Sequence, residues 1–299
     1  MEDLEADLSV VSGAVQELDV PVLIPGDIFD RWNAPPEAVN LAIRCLPKGC
    51  YAIPGQHDLP YHRYEDRKRS AYWTLVEAGT LIDLEPGSRV PVRVHPSRGD
   101  RLSSDLMLHP FPWGHQVQAN QDPEKEFLHV ALVHAYLWSS DADRHPQADA
   151  KDQALARWQA RCWDGYHVCL YGDNHVTWVE RFRGRGGPER LTVVNHGSLS
   201  NRTIDQKGRT RFASVILSDG SVKMVGFPDN GHWLDAPSVP TTERAADFSR
   251  VVEEVRGMGD HGIDFLQEVR HDLRTVPEKV AAEVIRALEA KGVVSKGFR

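Results

Sequence analysis

Leu4, Leu8, Val11, Val15 and Leu18 recur at steps of four and three, which predicts an amphipathic helix that packs on a sheet. A strand follows over Val20 to Ile24 and stops at Gly26-Asp27, with Asp30 three residues further on. Pro35-Pro36-Glu37 opens a second helix, whose apolar positions are Val39, Leu41, Ala42 and Leu46. The run Cys50 to Ile53 reads as another strand, and it ends in Pro54-Gly55-Gln56-His57-Asp58. A helix over about 64–79 leads to a strand over Thr80 to Leu84. Short strands near Val90 to Val94 and Asp105 to Leu108 suggest an edge meander.

The third apolar run, Phe127 to His134, terminates in a histidine. After a helix near Asp152 to Arg161, the run Tyr166 to Tyr171 ends in Gly172-Asp173-Asn174-His175. Strand-like runs at 191–194, 213–217 and 222–227 are expected to form a second sheet packed on the first. The stretch 229–240, with Asn230-Gly231, Pro237 and Pro240, reads as a boundary between a main domain, 1–230, and a mainly helical C-terminal segment, 231–299. In that segment helices are predicted over 242–256 and after Thr275, where Thr275 and Glu278 form a capping box. The fold class expected is α/β.

Composition sets limits on what such a chain does. With 299 residues, 41% of them hydrophobic, it can bury a full core. No apolar run approaches the roughly 18 residues of a membrane helix, and the acidic start Met1 to Glu5 is unlike a secretory signal, so a cytoplasmic protein without a membrane partner is expected. Cys45, Cys50, Cys162 and Cys169 lie in or beside apolar segments and never at Cys-x-x-Cys spacing, which favours packed thiols over a zinc knuckle. The net charge of −8 argues against coating nucleic acid by charge alone. Yet eight Lys/Arg fall between Arg181 and Arg211, read equally well as a solvated loop or as a phosphate-facing surface.

The candidate chemistry lies in the joint pattern. Gly-Asp is an ordinary turn, and one histidine at a strand end is more often a satisfied polar residue than a ligand. Here four successive strand-like runs end in Asp, Gln-His-Asp, His or Asp-x-His. Parallel strands would set those ends side by side in one pocket. Aspartate, histidine and amide oxygen form the mixed set that suits manganese, iron or zinc. A carboxylate bridging two such ions, about 3.5–4 Å apart, would let them acidify a shared water and clamp a phosphate.

At these residues the chain resembles the calcineurin-like metallophosphoesterases. Gly26 to Asp30, Gly55 to Asp58, His134 and Gly172 to His175 match, in order, four motifs of that superfamily over about residues 10–200. With Asn195-His196-Gly197-Ser198-Leu199-Ser200 and the separate tail, the chain is most similar to the DNA nuclease subunits that work with SMC-type repair ATPases, phage versions included. The resemblance implies a four-layer αββα sandwich with a small helical appendage, and two divalent ions, manganese foremost with magnesium, iron or zinc as alternatives. It makes Asp27 the bridging carboxylate, Gln56 and His134 ligands of the second metal and His175 a ligand of the first. It also makes His57 the general acid, Asp58 its positioning partner, and Asp30 a residue that fixes the loop.

Three departures from the family pattern bear on the site. Gln56 stands for an asparagine and Asp173 for the first histidine of Gly-His-x-His; the carboxylate hardens the site and favours manganese or magnesium over zinc. The third is that no Asp-x-His precedes Gly26, since His57 is the first histidine of the chain. Of an incomplete N-terminus and a degenerate family member, an incomplete chain is the favoured reading. The expected function is a metal-dependent phosphodiesterase acting on DNA, with an SMC-type ATPase as implied partner and a homo-oligomer left open. The alternatives are a small-nucleotide or phosphoprotein phosphoesterase, and a catalytically dead binding module.

Overall fold

A computed structural model describes residues 20–94, 105–139, 161–182, 191–199, 212–226 and 285–286, and within 5–16 all but residues 6, 7, 10 and 14. The chain divides into two compact units, Met1–Asp235 and Ala236–Arg299. In the second unit Ile285 and Arg286 are helical; the expected helix over 242–256 lies outside the described residues. No described helix is long and apolar enough to cross a membrane.

The first unit is a mixed α/β structure. β1 (Leu23–Ile24), β2 (Cys50–Ala52) and β3 (Leu81–Asp83) form a parallel sheet in the order β1-β2-β3. A second sheet holds β4 (Val90–Val92), β5 (Asp105–Phe111), β6 (Phe127–His134), β7 (Val168–Gly172), β8 (Trp178–Phe182) and β9 (Leu191–Asn195), in the order β4-β5-β6-β7-β9-β8. Its centre, β5-β6-β7-β9, is parallel, and β4 and β8 are antiparallel edges. β10 (Phe212–Ile216) and β11 (Val222–Gly226) pair as a hairpin.

Strand alternation divides the core between faces. Leu128, Val130 and Leu132 of β6 pack in one cluster with Leu108, Val168 and Val194 from their own sheet and with Ile53, Leu84 and Leu23 from the chain of the three-stranded sheet. Ala131 and Val133 point the other way, to Trp163, Tyr166, Tyr171 and Trp178. Cys50, Ala52 and Leu81 bury against Val39 and Ala42 of helix α1 (Pro36–Cys45) and Tyr72 and Leu75 of helix α2 (Ala71–Glu77).

The helices follow their local chemistry. Pro36 begins α1, Glu37 and Arg44 complement its dipole, and extended Leu46 ends it before Pro47. The N-terminal stretch is helical at all its described positions between 5 and 16, with Leu8 buried; Ser12 donates to the Cys45 carbonyl and Glu5 pairs with Arg44 at 3.2 Å. The helix expected over 64–79 is broken. Tyr64–Arg69 is a 3₁₀ turn, and extended Ser70 caps α2 by accepting from Trp73 N at 3.3 Å. Charged Tyr64–Arg69 has no apolar stripe to bury, so a serine that binds its own backbone wins there.

Two strand expectations are also corrected. β4 and β5 pair antiparallel at the sheet's edge, but β5 runs on as an interior strand parallel to β6 and the meander ends there; the run 191–194 joins the sheet of β6 and β7 as β9 instead of starting another. The four cysteines are free, with Cys50 and Cys169 buried.

Candidate metal centre

β1 and β2 belong to one sheet and β6 and β7 to the other, so the four strand ends meet from two sheets rather than side by side in one. The chain passes tightly where they meet. A side chain at Gly26 would overlap the His134 ring, one at Gly55 would overlap the Asp27 carboxylate, and one at Gly172 would run into the Pro25 carbonyl. Gly26 has φ 97°, and Asp27 follows at φ 52°. Aspartate tolerates that left-handed region better than most residues, at a cost that locates strain in this loop.

Asp27, His134 and Asp173 each present a ligand atom, and the three atoms lie within 4.8 Å of one another; this is the one such group among the described residues. Gln56 stands between them, its Nε2 donating to Asp173 Oδ1 at 2.7 Å and its Oε1 lying 2.7 Å from His134 Nε2. Asp27 Oδ2 is 3.3 Å from the same nitrogen. On the far side of the ring, His134 Nδ1 donates to the Pro25 carbonyl at 2.5 Å, which fixes the ring so that Nε2 faces the group.

The electrostatics fit a cation. Burial pulls the His134 imidazole down, but its hydrogen bond to Asp27 and the charges of Asp27 and Asp173 push it up to about 9. Two acceptors, Asp27 Oδ2 and Gln56 Oε1, converge on its Nε2, so the proton there occupies the place that a metal ion would take. Burial alone would raise Asp27, and His134 and His57 outweigh it to hold the carboxyl below its ordinary value. Asp173 is raised, chiefly by burial. Three acidic groups, Asp27, Asp58 and Asp173, thus share one histidine, and hard oxygens with one imidazole nitrogen are a donor set that suits a divalent ion.

His57 is exposed, and its backbone N–H donates to Asp27 Oδ1 at 2.9 Å. Asp58 is fully buried and accepts from Gly55 N at 3.0 Å, Phe29 N at 3.2 Å and Ile28 N at 3.3 Å. Its hydrogen bonds reach the backbones of both loops and not the His57 ring, so the positioning it performs acts through the loops. Burial and the charge of Asp27 push its carboxyl up to about 7. His175 and Asp30 are exposed and stand outside the group, although His175 is near enough to pull on the Asp173 carboxyl. His196 is also outside it, with Nδ1 sealed from solvent and no partner among the described residues. Of the basic stretch, Arg181 is exposed on β8; Arg183, Arg185, Arg190, Arg202, Lys207, Arg209 and Arg211 lie outside the described residues.

Beside the group runs a series of rings in which His62 and Trp113 were singled out by no sequence pattern. Trp113 lies 6.4 Å from His134 and 6.4 Å from His62, and His62 lies 6.4 Å from His57. His57 and His62 follow β2 and Trp113 follows β5, so only the convergence of the two loops marks His62 and Trp113. No protein-family model matches the chain, and no curated protein matches it.

Proposed function

We propose that the protein is a metal-dependent phosphodiesterase of the calcineurin-like kind that acts on DNA, with manganese as its ion. One observation carries the reading: Asp27, His134, Asp173 and the Gln56 amide converge on one point from the ends of strands in two sheets. In this reading the facing sheets with helices outside form a four-layer αββα sandwich, and an SMC-type ATPase is the partner.

A bound pair of divalent ions would acidify a water and offset the charge of a phosphate. Asp27, Gln56, His134 and Asp173 would hold an ion, and the Pro25 carbonyl keeps the His134 ring in the orientation this needs. His57 protonates the leaving oxygen; it is exposed, and its backbone is tied to the Asp27 carboxylate. Arg181 begins the basic stretch that steers a phosphate backbone.

The exposed His175, outside the triad, favours a second reading in which one ion binds and the fold serves as a binding module. Manganese titration by calorimetry, paired with hydrolysis of bis(p-nitrophenyl) phosphate and of single-stranded DNA, separates the two. The enzyme reading expects hydrolysis that chelation abolishes, and an Asp27→Asn variant with manganese affinity reduced about tenfold or more. Manganese binding without hydrolysis of either substrate selects the binding module, and no manganese binding removes both.

A further inference from the structure

We propose that the rings beside the metal group form a wall that stacks the unpaired base next to the bound phosphodiester, so that the site selects single-stranded nucleic acid. The proposal rests on the phosphodiesterase reading of the site and adds the residues that choose its substrate. Tyr61 and His62 are consecutive non-glycine residues with φ 53° and 57°. Left-handed backbone is unfavourable at such residues because Cβ crowds the following carbonyl oxygen, and it persists where surrounding structure enforces it, most often at functional sites. Its effect here is to set Tyr61 6.2 Å from Trp32 and His62 between His57 and Trp113. Trp113 in turn lies 6.4 Å from His134, so His62 and Trp113 carry the wall to the group that could hold the ion, and Tyr61, next to His62 in the chain, pairs with Trp32.

These rings lie partly or fully open to solvent, as a stacking surface must. His62 is exposed and Trp32, Tyr61 and Trp113 are half-buried. Exposed arginines flank them: Arg31 precedes Trp32, and Arg63 follows His62. Aromatic faces interleaved with cations are the pattern that holds single strands, because every base offers a π-face and every linkage a charge. A duplex hides its base faces within its own stack, so it cannot use this wall.

The test measures binding rather than turnover. Fluorescence anisotropy in the presence of EDTA compares a short labelled oligothymidylate, an abasic strand of equal length and a duplex. The parent should bind oligothymidylate about tenfold or more tightly than the other two. Trp113→Ala and Tyr61→Gly, the second of which also relieves the backbone, should each lose roughly 10–100-fold on oligothymidylate and nothing on the abasic strand. Equal binding of base-bearing and abasic strands by the parent, a preference for duplex, or equal losses on both strands in variants that keep the parental Tm would overturn the proposal. Hydrolysis of the same oligothymidylate with manganese is scored separately. Base-dependent binding without hydrolysis removes the enzyme reading alone, and hydrolysis without base-dependent binding removes the wall alone.

Discussion

Two of the three residues that could hold an ion, Asp27 and Asp173, have φ values of 52° and 88°, where side chains are crowded by their own backbone. The strain is held by glycines at the tightest contacts and by Asp58, whose carboxylate joins the Gly26 and Gly55 loops. Gly55→Ala should therefore cost about 1–3 kcal/mol of stability, as overpacking does, and weaken manganese binding about tenfold. Thermal unfolding with calorimetry checks both, and a variant with parental Tm and affinity would show that the loops part freely. His57→Ala should behave differently, since the N–H that binds Asp27 stays in place. Its manganese affinity should match the parent while turnover falls roughly 10²–10⁴-fold; a joint collapse of both would make His57 a ligand.

At the scale of elements, β5 shows how context overrides pattern. Asp105–Phe111 contains Pro110, which argues against an interior strand, yet Leu106 to Pro110 are all buried. The edge strand β4 pairs only with Leu106 to Leu108, so the missing Pro110 N–H falls beyond its reach. The outward face of β5 and β6 carries a second histidine cluster. His109 Nε2 lies 3.0 Å from His129 Nδ1, Asn120 Nδ2 lies 3.2 Å from that same atom, and His129 Nε2 reaches the Glu124 carbonyl at 2.9 Å. His167 Nδ1 accepts from His129 N at 3.0 Å.

His129 fits these contacts as a neutral ring, with Nε2 donating to the Glu124 carbonyl and Nδ1 accepting, and His167 accepts through its Nδ1. Burial, with the neighbouring His129 and Arg89, pushes His109 down to about 4, and burial with His129 does the same to His167. Glu124 faces the cluster with the opposite sign, but His129 is still lowered by its burial. The unfolded chain protonates near 6.5 and the folded one near 4, so stability holds above pH 6.5 and falls as pH drops toward 4. His109→Gln keeps a donor for His129 and loses one titrating ring. Its Tm should fall less than the parent's between pH 7 and pH 5; parallel Tm curves would discount the cluster.

For the whole molecule, an ion at Asp27, His134 and Asp173 would tie the end of β1 to the ends of β6 and β7, hence one sheet to the other. Binding to the folded state alone adds about 2.7 kcal/mol at a hundredfold excess over Kd. In a domain of this size that should raise Tm by roughly 5–10 °C. Differential scanning fluorimetry with manganese, then with EDTA, checks the gain and its reversal. An unchanged Tm under saturating manganese would mean that the ion does not bridge the sheets.

Local pattern was enough for the α/β class, for α1, for the strands that end at Asp27, His57, His134 and Asp173, and for most of the residues that meet there. Those signals are short-range: an apolar run, a proline, a glycine before an acid. It was not enough for the break at Ser70, the strand Trp178–Phe182, the interior place of β5 or the division of four strand ends between two sheets. Strand pairing depends on partners dozens of residues away, and alternation along one strand does not name its neighbour. The same distance hid the rings of Trp32, Tyr61, His62 and Trp113, because they share no period and no motif and come from three loops, after β1, β2 and β5.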